Sequence, residues 1–182
     1  MTKVLFLSFN DKFIRPLLYG MKKYEYRKRF CDEDTICYLY LSGKTRKVIG
    51  LLELGKPVRI DKIVNDYQDE NILKRLNNYI EKREINALPI KSFKLADKFI
   101  TLDEIRNKID GFNPPQMYYV VDNNPKLKEI LNEMTFTEEI INHDHTNIYE
   151  DNIAVSVKDM EKTLEFKKLD EENIILKNRI GI

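Results

Sequence analysis

Between Lys22 and Phe30 charged and aromatic residues interleave, and no other stretch constrains the fold as tightly. Lys22, Lys23, Arg27, Lys28 and Arg29 set five positive charges against one negative charge, Glu25. Tyr24, Tyr26 and Phe30 recur among them at even spacing. A two-residue period marks a half-buried strand, not a helix or a solvated charge block. On such a strand the three aromatic side chains face a core, while Lys23, Glu25, Arg27 and Arg29 face solvent or a cleft. Lys28 falls on the apolar side, so the strand is expected to bend or end there. Glu25 and Arg27 can hold each other in a fixed orientation, and fixed cations beside one carboxylate suit a polar ligand or a phosphate. Lys22 and Glu25 are three apart. Both reach one pocket only if Lys22 sits on a turn after Gly20 or the strand bulges between them.

The remainder of the chain reads as strands separated by helical excursions. Val4 to Phe9 is a buried first strand. Asn10 or Asp11 caps a helix whose apolar face is Phe13, Ile14, Leu17 and Leu18, with Pro16 as a kink and Gly20 as its end. Further strands are expected at Ile36 to Leu41, at Val48 to Ile60 with a break near Gly55-Lys56-Pro57, at Ala87 to Ile100, and at Met117 to Val121. Ile72, Leu76, Tyr79 and Ile80 have the spacing of an amphipathic helix. Thr101 and Glu104 form a capping box for a short helix that stops at Gly111. Asn124 and Pro125 open another helix, with Leu127, Ile130, Leu131 and Met134 as its stripe. Ile153 to Val157 alternates like a strand. This order predicts an α+β chain with a mixed or antiparallel β-barrel decorated with helices.

Composition narrows the function classes. The 182 residues carry a net charge of +1, so attraction to nucleic acid has to come from local segregation of charge. The length fits one domain, or one domain with an appendage. Cys31 and Cys37 flank a turn and are expected to be reduced thiols. No apolar run has the length of a membrane span, and residues 1–9 lack the layout of a leader, so a cytoplasmic protein without a membrane partner is expected.

The spacing Gly20-x-Lys22-x-x-Glu25-x-Arg27 resembles the G-x-K-x-x-E-x-R motif of the ASCH domain, a member of the PUA-like β-barrel group. Leu7-Ser8-Phe9 and the helix ending at Gly20 resemble that family's first strand and helix. Gly111-Phe112-Asn113-Pro114-Pro115-Gln116 resembles a proline-proline-glutamine segment of its longer members. The resemblance covers residues 3–121. It implies a PUA-like barrel domain over 1–122, followed by a helical or mixed appendage over 123–182 that covers a barrel edge, makes a dimer or binds a partner.

That family contains RNA binders and enzymes, and three readings follow. In the first, the chain binds RNA or a modified nucleoside. Lys22 and Arg27 hold phosphate or a carbonyl, and Glu25 accepts a hydrogen bond from an exocyclic amine or orients Lys22. Lys23, Lys28 and Arg29 add backbone attraction, and Gln116 reads a base or amide edge. In the second, the chain is an amidohydrolase acting on an acylated nucleoside. The family's N(4)-acetylcytidine hydrolases use a lysine, a threonine three residues on and a glutamate on a later helix. Lys22 matches the lysine, Glu25 occupies the threonine position, and Glu70 is a loose match for the glutamate. Catalysis would then rest on Lys22, Glu25 and Glu70. In the third, the chain is a regulatory interaction module working through residues 123–182.

Two further motifs are read as carrying no chemistry. His143-Asp144-His145 has the spacing of two metal ligands, but no third ligand is marked, and no metal or other cofactor is expected. Ser42-Gly43-Lys44-Thr45 contains the end of a phosphate-loop signature. The upstream glycine that signature needs is replaced by Tyr38, so an ordinary turn is expected.

Overall fold

The computed structural model describes residues 2–146 and 153–182, and its architecture follows from strands buried on both faces. In β1 (Lys3–Asn10) Leu5, Phe6 and Leu7 are all buried. Leu5 and Leu7 meet Leu39, Leu41, Ile49, Leu52 and Phe93 on one side. On the other side Phe6 packs with Tyr38, Tyr40, Leu102, Leu127 and Leu131. A sheet covered on both faces selects continuous apolar runs over alternation. The same reasoning accounts for β3 (Thr35–Ser42) and β4 (Lys47–Leu54).

β1 runs parallel to β3, in register from Lys3 opposite Thr35 to Asn10 opposite Ser42. A parallel pair needs a long connection. It is supplied by a 3-10 turn at Asp11–Phe13, α1 (Arg15–Leu18) and β2 (Tyr24–Arg27). β3 and β4 form an antiparallel hairpin. β4 pairs with the 16-residue β6 (Asn86–Thr101), with register shifts between Val48 and Gly50 and between Glu53 and Leu54. Such bulges increase coiling. β7 (Tyr118–Val120) flanks β1, giving the strand order β2-β6-β4-β3-β1-β7. β5 (Val58–Arg59) and β8 (Glu138–Asn142) both pair with β6. The curl brings β2 back toward β1, where Arg27 Nη2 donates to the Ser8 carbonyl at 3.1 Å. That bond ties two strands that share no ladder.

Capping residues set the helices. α2 (Ile60–Ile63) follows β5 directly. Asp69 caps α3 (Glu70–Glu81), which buries Leu76 and Tyr79 against the Tyr24 and Ala87 cluster. The Thr101–Glu104 box opens α4 (Leu102–Lys108), and Asn124 caps α5 (Pro125–Asn132). The helix expected after β1 is two short pieces. Pro16 lies in the first turn of α1, where a missing N–H costs nothing.

β2 ends at Arg27, where Lys28 breaks its pattern as expected, and Lys28 and Arg29 form an exposed bend. One expectation needs correction. Ile153 to Val157 is not a strand. Ile153 and Ala154 lie in a turn, Ala154 has φ +58°, and Ser156 caps α6 (Val157–Glu161) by accepting from the Asp159 amide. A short alternation cannot outweigh a cap that satisfies a helix N–H. Residues of the 123–182 segment also pack on the sheet. β8 fills the edge left free by the long β6, and Ile180 is buried in the core. α7 (Leu164–Glu172) and α8 (Ile174–Ile180) complete the chain, and Arg179 donates to the Ala96 carbonyl at 2.8 Å.

Cys31 and Cys37 are free, and burial pushes the Cys37 thiol up to about 12. Among the described residues no helix is long and apolar enough to cross a membrane.

Candidate functional site

The site begins where α1 stops. Gly20 takes φ +76°, open to glycine at little cost, and the Met21 and Lys22 amides both donate to the Pro16 carbonyl at 2.9 and 3.0 Å. Lys22 therefore sits on the turn ahead of β2, which resolves how it and Glu25 reach one pocket. Lys22 Nζ donates to Glu25 Oε2 at 2.7 Å. Arg27 Nε lies 2.8 Å from Glu25 Oε1, an ion pair too bent for a good hydrogen bond. Lys22 and Glu25 are only 7% and 6% exposed. Burial alone would push the Glu25 carboxyl up. The Lys22 and Arg27 charges outweigh it and hold the group below its usual range, so it stays ionised. Lys22 Nζ also stands 5.1 Å from the Phe9 ring centroid. The Ser8 hydroxyl, at the same point of β1, is buried without a partner among the described residues.

This cluster lines a cleft of about 1080 Å³. Its walls are the end of β1, β2, the later half of α3, the Ser42–Arg46 turn, α4, the Pro114–Gln116 segment and the Ala154–Asp159 stretch. Lys22, Glu25, Arg27, Lys28 and Gln116 all line it, as a binding site on β2 requires. Lys23, Arg29 and Glu70 do not. Lys23 turns the other way, its Nζ 3.1 Å from His143 Nδ1. Arg29 is in the exposed bend, and Glu70 is exposed in the first turn of α3, whereas α3 meets the cleft only from Arg75 onward. The glutamate of the deacylase pattern is thus not supplied by Glu70.

Sequence reasoning missed most of the cleft's charge. Among the described residues, Arg46, Arg75, Lys82, Arg106 and Lys158 join Lys22, Arg27 and Lys28, giving eight cations against Glu25, Glu84 and Asp159. Among the described residues, Lys28, Arg46, Arg106 and Lys158 make no salt bridge. Elsewhere about half of the lysines and arginines are paired, as in Lys3–Glu33 and Lys128–Asp122. The missed cations come from separate elements, and each reads locally as an ordinary surface charge. The signal that was available is the Tyr79 side of the α3 stripe, since that helix packs on β2.

The two set-aside motifs have structural partners. Asp11 Oδ2 accepts from the Lys44 amide, the Thr45 amide and the Thr45 hydroxyl at 2.8, 2.9 and 2.9 Å, so a carboxylate occupies the anion-binding turn. Gly43, at φ +93°, is required there because a Cβ would collide with the Asp11 carboxylate. His145 Nε2 donates to the Ile90 carbonyl at 2.6 Å. Among the described residues no group of three or more potential metal ligands converges.

A curled mixed sheet of this topology is the fold of solved ASCH proteins. The ASCH protein of Zymomonas mobilis shares it, with a TM-score of 0.54 and 18% identity over 75% of this chain and 99% of its own. A serine-to-alanine variant of that protein matches at 0.54 and 19% identity, covering 73% of this chain and 97% of its own. A tyrosine-to-phenylalanine variant matches at 0.54 and 17%, covering 73% and 99%. No family model matches the sequence, and no curated protein does.

Proposed function

We propose that the cleft binds RNA, or a modified nucleoside within it. The observation that carries this reading is the gathering of salt-bridge-free cations around the Lys22–Glu25–Arg27 cluster. Unpaired guanidinium and ammonium groups converging in one concavity suit a chain of phosphates. The inner cluster suits the ligand's polar edge. Glu25, kept ionised, accepts from an exocyclic amine, and Lys22 donates to a carbonyl. The buried Ser8 hydroxyl and Gln116 offer further donors and acceptors beside it. The Zymomonas mobilis protein supports the fold of this reading and nothing finer.

The reading is tested by fluorescence anisotropy with a short single-stranded RNA, at low and moderate salt. The wild type is expected to bind and to weaken as salt rises. Arg27→Ala is expected to lose binding, and Arg46→Gln to weaken it with an unchanged circular dichroism spectrum. Equal binding by wild type and Arg46→Gln at every salt concentration would place the RNA surface elsewhere.

A further inference from the structure

We propose that Ala154–Lys158 is a strap belonging to the binding site, latched to β2 by Tyr26, and that it sets Lys158 over the cleft as a contact to ligand phosphate. The inference rests on the reading of the cleft as an RNA site and adds to it a wall from the C-terminal segment.

Tyr26 stands on β2 between Glu25 and Arg27, so one short strand carries both the ion cluster and the latch. Its ring packs on Tyr79 with centroids 4.2 Å apart, and its hydroxyl oxygen accepts the Ala154 amide. Arg75 Nε donates to the Ile153 carbonyl at 3.2 Å, a second tie from α3. Ile153 and Ala154 are buried with Tyr24, Tyr79 and Ala87. Ala154 holds φ +58°, a conformation that L residues enter at a cost and that clusters at binding sites. Burial raises the Tyr26 hydroxyl far above its ordinary pKa, so the latch stays a neutral phenol.

The other end of the strap is equally fixed. Ser156 caps α6, whose Met160 is buried. Asp170 on α7 accepts from Tyr19 Oη at 2.7 Å and from Arg15 Nη1 at 3.3 Å. Between these anchors Asp159 is occupied by Ser156 and Lys162. Lys158 is exposed on the cleft with no carboxylate partner among the described residues. An exposed, hydrated ammonium at that place is available to a phosphate.

The test uses the full chain, a short labelled single-stranded RNA, and the variants Tyr26→Phe, Lys158→Ala and both together. Two quantities are read: affinity across a salt series, and amide exchange of the 153–158 region. Lys158→Ala should keep the exchange pattern and lower the salt slope by about 0.7, the value of one phosphate contact on a single strand. Tyr26→Phe should raise exchange at Ala154 and weaken RNA binding. The double variant should bind no worse than Tyr26→Phe alone, because the residues act as one unit. An unchanged slope in Lys158→Ala, or a freed strap with unchanged affinity in Tyr26→Phe, would overturn the proposal. If those results came with binding still weakened in Arg46→Gln, the strap would fall and the cleft reading would stand. A wild type that binds no RNA at low salt would remove both.

Discussion

Glu25 is the residue on which the site balances, because its carboxylate neutralises a buried and a half-buried cation at 2.7 and 2.8 Å. Removing it leaves Lys22 and Arg27 unpaired beside Phe9. Glu25→Ala should therefore destabilise the protein by about 3–5 kcal/mol, the range for breaking a buried pair, measured as a lower urea midpoint. The pH dependence has a definite sign. Glu25 ionises more readily folded than unfolded, so its contribution is complete above the ordinary value of 4.5 and is lost as pH falls through its lower folded value. His143 behaves differently. Burial first, then the Lys23 charge, lowers it from 6.5 to about 4. The unfolded chain thus takes up that proton first, and stability should decline as pH falls from 6.5 toward 4. His143→Gln should flatten that part of the curve, read as thermal midpoint against pH. The ion cluster was legible in the spacing of Lys22, Glu25 and Arg27. The His143–Lys23 contact was not, because 120 residues separate its partners.

At the scale of elements, local chemistry and two-sided burial share the work. The Thr101–Glu104 box is present with both reciprocal bonds, and Thr101→Ala should cost about 1 kcal/mol in denaturant unfolding. Leu39, fully buried in the middle of β3, sits where no neighbour can collapse inward, and Leu39→Ala should cost about 2–5 kcal/mol. Elements with their own cap or turn were readable from the sequence: α3, α4, α5 and the break at Gly55-Lys56-Pro57 all lie where local signals place them. β8 was not. Glu138–Asn142 has two exposed glutamates and no strong alternation, and it is a strand because β6 offers it an edge. Ile153 to Val157 failed for the opposite reason, since its alternation is real but the Tyr26 latch and the Ser156 cap hold a turn.

Across the whole molecule the relevant quantity is where charge collects. The chain is nearly neutral at +1, yet among the described residues the cleft carries eight cations and three anions. The basic run on its own is a poor guide to this: Lys23 and Arg29 leave the site, and Arg46, Arg75, Lys82, Arg106 and Lys158 enter it through the path of the sheet and of the C-terminal segment. No window of sequence contains that information, because it resides in which loops the curled sheet gathers at one end. A cleft that acts as a polyanion site is tested most directly by RNA affinity against salt for the wild type and for Lys28→Ala, Arg46→Gln and Lys158→Ala combined, three cations outside the ion cluster. The expected result is salt-sensitive binding by the wild type and a slope shallower by about 2 in the combined variant, at about 0.7 per lost contact, with the fold intact by circular dichroism. Identical affinity and slope in the two proteins, or no binding by the wild type at low salt, would contradict it.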